Sequence, residues 1–235
     1  MSLDVVYGGT ALAKALSDLP GMELYQLLDR ASGSASEREL AKRKLAQSCG
    51  KLCLMWQASE WALEAEQDFW SSTIKEAPVL LGDEAVRVRY HLEAFVLFAR
   101  SALDIGARAF GLLLPKPFPR GRFDSFNDLT KVVQESGPAS LRHAITTLRG
   151  SSQSWLSILC GKERGRALRD KISHQTEFPL FYAEIHQGSE KEYAMVAIDG
   201  APSVRLPDFV ATVRVGVVDG FRQFENAAVD GVINR

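Results

Sequence analysis

Tyr90-His91-Leu92-Glu93-Ala94-Phe95-Val96-Leu97-Phe98-Ala99-Arg100-Ser101-Ala102-Leu103-Asp104 is the stretch on which the fold turns. Leu92, Phe95, Val96, Ala99, Leu103, Gly106 and Phe110 recur at three and four, the spacing of one face of an α-helix. Ala94, Leu97, Phe98 and Ile105 widen that face well beyond half the circumference. The pattern predicts a helix over Asp83 to Leu114, closed by Pro115. A helix this apolar all round belongs at the centre of a bundle or in a dimer interface. Its polar residues are therefore informative. Glu93, Arg100 and Asp104 fall on one stripe, and Arg100 and Asp104 have the spacing of an i,i+4 pair. An internal ion pair without chemistry explains them as well as a role in supporting a site.

Working toward the N-terminus, short helical material is expected to end at Pro20-Gly21, with a second short helix over Met22 to Arg30 stopped by the small polar run Ala31 to Ser36. From Glu37 a long helix is predicted to about Ile74, with Leu40, Leu45, Leu52, Met55, Trp56, Ala62 and Leu63 near helical spacing and Pro78 beyond its end. Working toward the C-terminus, Pro115 to Arg122 holds three of the nine prolines with Lys116, Arg120 and Arg122, so it reads as a basic loop. Helices follow at Ser125 to Glu135, Pro138 to Leu148 and Ser152 to His174, the last with a break near Gly161 left open. The period then changes. Phe178 to His186 and Glu192 to Ile198 read as two strands of a hairpin joined by Gln187 to Lys191. From Pro207, the residues Val210, Val213, Val217, Phe221, Phe224 and Ala228 have helical spacing, although Val213, Val215 and Val217 also alternate, leaving a strand open for the first part.

These elements describe one mainly α domain over 1–235: N-terminal helices over 1–78, a helical core over 83–174, a β-hairpin over 178–198 and a C-terminal helix over 207–234. With 46% apolar and 24% charged residues and a net charge of −1, composition alone points neither to nucleic acid nor to membrane. No apolar run spans a bilayer and no export signal is read at the N-terminus, so a soluble, cytoplasmic chain is expected. Cys49 and Cys53 are four apart and Cys160 stands alone. Without further ligands at short spacing they read as reduced buried thiols rather than a zinc site. Metalloprotease, phosphate-loop, dinucleotide and hydrolase-elbow motifs are all missing, so no metal or cofactor is expected.

One motif remains. Arg169-Asp170-Lys171-Ile172-Ser173-His174 sets an arginine and a histidine five positions apart, a rotation of about 140° on a helix, so the two flank a stripe. Asp170 and His174 share a face, close enough for the carboxylate to orient the imidazole. From Arg142 to His174 seven lysines and arginines face two acids, a local balance of +5 that suits a polyanion. Lys162, Arg164, Arg166 and Lys171 are the candidate phosphate contacts. A solvated helix end, with Lys171 and His174 favoured by the helix dipole, remains the plainer reading.

The motif and the apolar helix with Leu103-Asp104 before it make Asp83 to His174 resemble the HEPN superfamily, whose signature is an arginine, a polar residue and a histidine near a helix end in an all-α bundle. The resemblance implies an HEPN-like helical bundle and, in its active form, a metal-independent ribonuclease acting as a homodimer, often as a toxin with an antitoxin partner or in defence. It assigns catalysis to Arg169, Asp170 and His174; Glu93 and Asp104, from the polar stripe of the apolar helix, are the candidates for a supporting role. The same resemblance covers inactive dimers that bind RNA, a nucleotide or a protein. A third reading is a structural interaction module with Trp56, Trp61 and Trp70 in its core.

Overall fold

The computed structural model describes residues 20–31, 34–72, 83–114, 125–149, 155–160, 180–182, 194–197 and 203–230. It is mainly helical, with a small antiparallel sheet toward the C-terminus. The helices are α1 (Met22–Leu27), α2 (Ala35–Ser72), α3 (Asp83–Leu113), α4 (Phe126–Ser136), α5 (Ala139–Arg149), α6 (Trp155–Cys160) and α7 (Leu206–Ala228). The strands are β1 (Leu180–Tyr182), β2 (Ala194–Val196) and β3 (Val204–Arg205). The expected helical material before Pro20, the basic loop Pro115 to Arg122 and the hairpin turn Gln187 to Lys191 lie outside the described residues.

The chain divides into two compact units. The first comprises Met1–Cys53, Ser101–Ser151 and Val217–Arg235. Its helix starts are set by side chains that accept the amide protons a first turn leaves unpaired. Ser34 accepts from the Glu37 N–H at 3.2 Å while the Glu37 carboxylate accepts from the Ser34 N–H at 2.8 Å. This reciprocal cap starts α2 at Ala35, two residues earlier than hydrophobic periodicity alone indicates. Ser125 caps α4 through the Asp128 N–H at 3.2 Å, and Asp104 on α3 accepts from the Phe126 N–H at 2.8 Å.

The start of α1 is closed from far along the chain. Gly21 has φ +95°, a left-handed conformation that side chains disfavour, and its own residue supplies no cap. Instead Glu225 on α7 accepts from the Gly21 N–H at 2.7 Å and the Leu24 N–H at 2.9 Å. The same stretch of α7 carries Phe221 and Phe224, which pack against Phe110 at centroid distances of 5.5 and 4.6 Å. Phe126 of α4 completes the cluster, 5.9 Å from Phe224. Gly106 lets α3 approach this cluster, since a Cβ there would stand 2.7 Å from Phe221 Cε2. Cys49 is buried and donates to the Pro20 carbonyl; burial pushes its thiol up to about 12, and that of Cys53 to about 11. Such thiols stay protonated and inert.

The second unit comprises Leu54–Arg100 and Ser152–Gly216. Ala58, Ala62 and Ala65 give α2 a narrow buried face, and Val88, Leu92, Phe95, Val96 and Ala99 supply the buried face of α3. Phe209 of α7 meets Phe95 edge-on at 6.3 Å. The sheet order is β1-β2-β3, with Leu180 opposite Val196, Tyr182 opposite Ala194, and Val196 opposite Val204. The hairpin expected from the period change is present as β1 and β2; β3 is an additional strand. Ala194 and Val196 point inward and are fully buried. Glu66 on α2 is buried beside them and accepts from the Ala194 N–H at 2.6 Å, which fixes β2 to the helix. Chain direction then changes at once, because β3 ends where α7 begins. Pro207 sits in the first turn of α7, where a missing N–H costs nothing. Val213 and Val217 are buried while Val215 is 58% exposed, so the alternating valines belong to a helix.

From His91 to Ala107 every residue of α3 is buried or half-buried within a single chain. Of the residues that widen its apolar face, Ala94, Leu97, Phe98 and Ile105 are half-buried. Among the tryptophans, Trp56 and Trp61 depart from the core reading, being 44% and 48% exposed. The Trp56 ring is instead covered by a cation, as described below.

Two outcomes follow from this packing. A Cβ at Gly216 would fall within contact distance of three Trp155 atoms, including Cβ at 2.8 Å. Gly216→Ala should cost about 1–3 kcal/mol by overpacking, read as a melting temperature lowered by several degrees. Glu225 has its carboxyl pushed up, chiefly by burial and against the pull of the Leu24 and Gly21 N–H groups. A carboxyl raised in the folded state stabilises most below its unfolded pKa and loses that stability as pH rises through the folded one. The stability difference between wild type and Glu225→Gln, measured by urea unfolding, should therefore shift against wild type as pH rises above about 4.5. A difference that moves toward wild type would show that the two N–H donors outweigh burial.

Candidate functional site

In the second unit, α2 and α3 meet in an open cleft of about 280 Å³ lined by Trp61, Glu64, Arg87 and His91. Trp61, Glu64 and Asp68 recur at three and four along α2, and Arg87 and His91 are four apart on α3, so each helix offers one polar stripe to the cleft. The Trp61 and His91 rings lie 5.5 Å apart, tilted by 50°, and Tyr90 meets His91 edge-on at 5.3 Å. Arg87 pairs with Asp68 at 3.5 Å. Partial burial lowers the pKa of His91, the Arg87 charge lowers it further, and Glu64 opposes both. At neutral pH the imidazole is accordingly uncharged. The site thus combines two exposed aromatic rings, a neutral imidazole and the carboxylate of Glu64, with the one guanidinium in the cleft already engaged by Asp68.

One helical turn earlier on α2, the same residue types are arranged around a cation. The Arg214 guanidinium of α7 lies 3.4 Å above the Trp56 ring. It also pairs with Glu60 and donates to Ser59 Oγ at 3.2 Å. The hydroxyl of Ser59 in turn donates to the Trp56 carbonyl at 2.6 Å. A buried cation, Arg100 of α3, donates to the Cys160 sulfur of α6.

The residues expected to carry chemistry divide sharply. Arg169, Asp170 and His174, together with Lys162, Arg164, Arg166 and Lys171, lie outside the described residues. Glu93 is half-buried on the part of α3 that belongs to the second unit. Asp104 is half-buried in the first unit, where its carboxylate holds the first turn of α4. Among the described residues, no group of three or more His, Cys, Asp or Glu side chains is placed to hold a metal ion. No described helix is long and apolar enough to cross a membrane.

The partners of His91 across the cleft, Trp61 and Glu64, lie on another helix. The signal for the cleft was present only as two separate stripes, and nothing in either stripe reveals that they face each other. Compared with protein-family models, curated proteins and solved structures, the chain matches none.

The His91 environment makes a signed prediction. Its side-chain resonances should titrate with a midpoint below 6.5. Arg87→Gln should raise that midpoint by removing a like charge, and Glu64→Gln should lower it by removing an opposite one. Equal responses to the two variants would mean that neither charge reaches the ring.

Proposed function

We propose that this chain is a metal-independent ribonuclease of the HEPN type, acting through a composite site in a homodimer. The observation that carries the reading is the sequence Arg169-Asp170-Lys171-Ile172-Ser173-His174, with the basic balance of Arg142 to His174 around it. A mainly helical fold, with an apolar α3 running through Leu103-Asp104 ahead of the motif, is consistent with it.

The chemistry follows from what RNA provides. Its 2′-hydroxyl attacks the neighbouring phosphodiester once a base takes its proton, and an acid protonates the departing 5′-oxygen. An imidazole of ordinary pKa about 6.5 serves in either role. Arg169 would stabilise the charge that builds on the phosphoryl oxygens, and Asp170 would orient His174. Lys162, Arg164, Arg166 and Lys171 would hold the flanking phosphates, making binding steeply salt-dependent. One chain offers one such histidine, so the dimer requirement rests on pairing two of them in one cleft. In this reading an antitoxin or other protein partner would restrain the activity, and the compartment would be the cytoplasm.

The test is cleavage itself. Purified protein should cut single-stranded RNA in EDTA, leave DNA intact because the 2′-hydroxyl is missing, and yield 5′ fragments ending in a cyclic 2′,3′-phosphate. His174→Ala should abolish cutting, Arg169→Ala should slow it by roughly 100-fold or more, and Asp170→Asn should be milder. Cleavage that survives His174→Ala would sink the proposal. RNA binding without cleavage in wild type would instead favour the inactive, RNA-binding relative.

A further inference from the structure

Two tryptophan–glutamate pairs of α2, Trp56 with Glu60 four residues on and Trp61 with Glu64 three residues on, differ in what they meet. Trp56 and Glu60 are engaged by Arg214, whose guanidinium stacks on the ring and pairs with the carboxylate. Trp61 and Glu64 line an open cleft, and among the described residues no cation lies over the Trp61 ring. Arg87, the cation in that cleft, is turned to Asp68. Counting Glu64 and Asp68 against Arg87, with His91 neutral, leaves the cleft with one negative charge beside an exposed indole face.

We propose that the Trp61–Glu64 cleft receives an arginine side chain from a protein partner, repeating in trans the arrangement that Arg214 makes with Trp56 and Glu60. Charge complementarity selects a cation, and the aromatic face selects one that stacks. A guanidinium does both, lying flat on an indole while presenting paired donors to a carboxylate; an ammonium has no plane to stack. The shape of the cleft selects the source. A free small ligand needs a concave pocket that covers most of its surface. This cleft is open, and beside it α3 exposes Tyr90 and Val86, one turn apart, as further apolar contact for a polypeptide carrying the arginine. The inference is independent of the ribonuclease reading, since it uses none of the residues assigned to cleavage.

The test uses the full chain and three probes: N-acetyl-Leu-Arg-Leu-amide, whose leucines can cover Tyr90 and Val86, its citrulline analogue and free L-arginine. The Trp61 indole N–H resonance, assigned through Trp61→Phe, and the His91 ring resonances report on the cleft. The arginine peptide should shift both saturably, whereas the citrulline analogue, uncharged but nearly isosteric, should not. Glu64→Gln should weaken the peptide by roughly two- to five-fold, as expected for one exposed ion pair or stacked cation. Trp61→Ala should weaken it at least as much, read from His91. Trp61 and Glu64 are both exposed, so neither change threatens the fold. Equal shifts with citrulline, an unchanged affinity in Glu64→Gln, or no saturable shift at all would overturn the proposal. Free L-arginine binding as tightly as the peptide would make this a small-molecule site. Self-association that is lost in Glu64→Gln would make the occupant a second copy of the chain. Either result would overturn the assignment to a protein partner.

Discussion

Each of the two units is organised around a buried carboxylate that accepts main-chain protons. In the first, Glu225 receives the Gly21 and Leu24 N–H groups from a helix start 204 and 201 residues earlier in the chain. In the second, Glu66 receives the N–H of Ala194 at the start of β2. Taking a carboxylate out of water costs several kcal/mol, and a few well-made charge-assisted hydrogen bonds offset part of it. In both cases burial outweighs those bonds, with the Trp70 indole also helping Glu66, and the carboxyl is pushed up. The gain is positional. By pairing two donors at the start of α1 and one at a short strand, these glutamates tie together elements far apart in the chain.

Helical periodicity made most of the architecture legible in the sequence. Leu92, Phe95, Val96, Ala99 and Leu103 are buried as their spacing requires, and so are Val210, Val213, Val217, Phe221 and Phe224. Boundaries were less legible, because they depend on caps rather than on the apolar face. The start of α2 at Ala35 follows from Ser34 and Glu37, a signal local enough to have been read. The start of α1 could not have been, since its cap comes from α7. β3 is two residues long, too short to show any period.

The tryptophans show why the candidate site was harder to read than the fold. Aromatic residues in a long helical pattern read as core, because burying an indole is so favourable. Trp56 can stand exposed because a guanidinium covers its face, and that guanidinium comes from Arg214, more than 150 residues along the chain. Trp61 stands at the mouth of a cleft whose other wall is a different helix. No window of sequence contains either arrangement. The Arg169–His174 motif is the opposite case: its spacing is legible in six residues, and its meaning depends wholly on what two such motifs would do together.

Magnitudes decide what the cleft on α2 and α3 can achieve. The Arg214 clamp works within one chain, so its ring contact and ion pair need only offset the freezing of one side chain, a cost of up to about 2 kcal/mol. The same contacts made in trans must also offset the loss of translational and rotational freedom, at least about 4 kcal/mol. One stacked cation and one exposed ion pair supply roughly 1–2 kcal/mol together. A lone arginine would therefore bind weakly. Useful affinity requires a partner whose neighbouring residues also cover Tyr90 and Val86, so that the arginine sets the register of the contact and apolar burial supplies most of its strength.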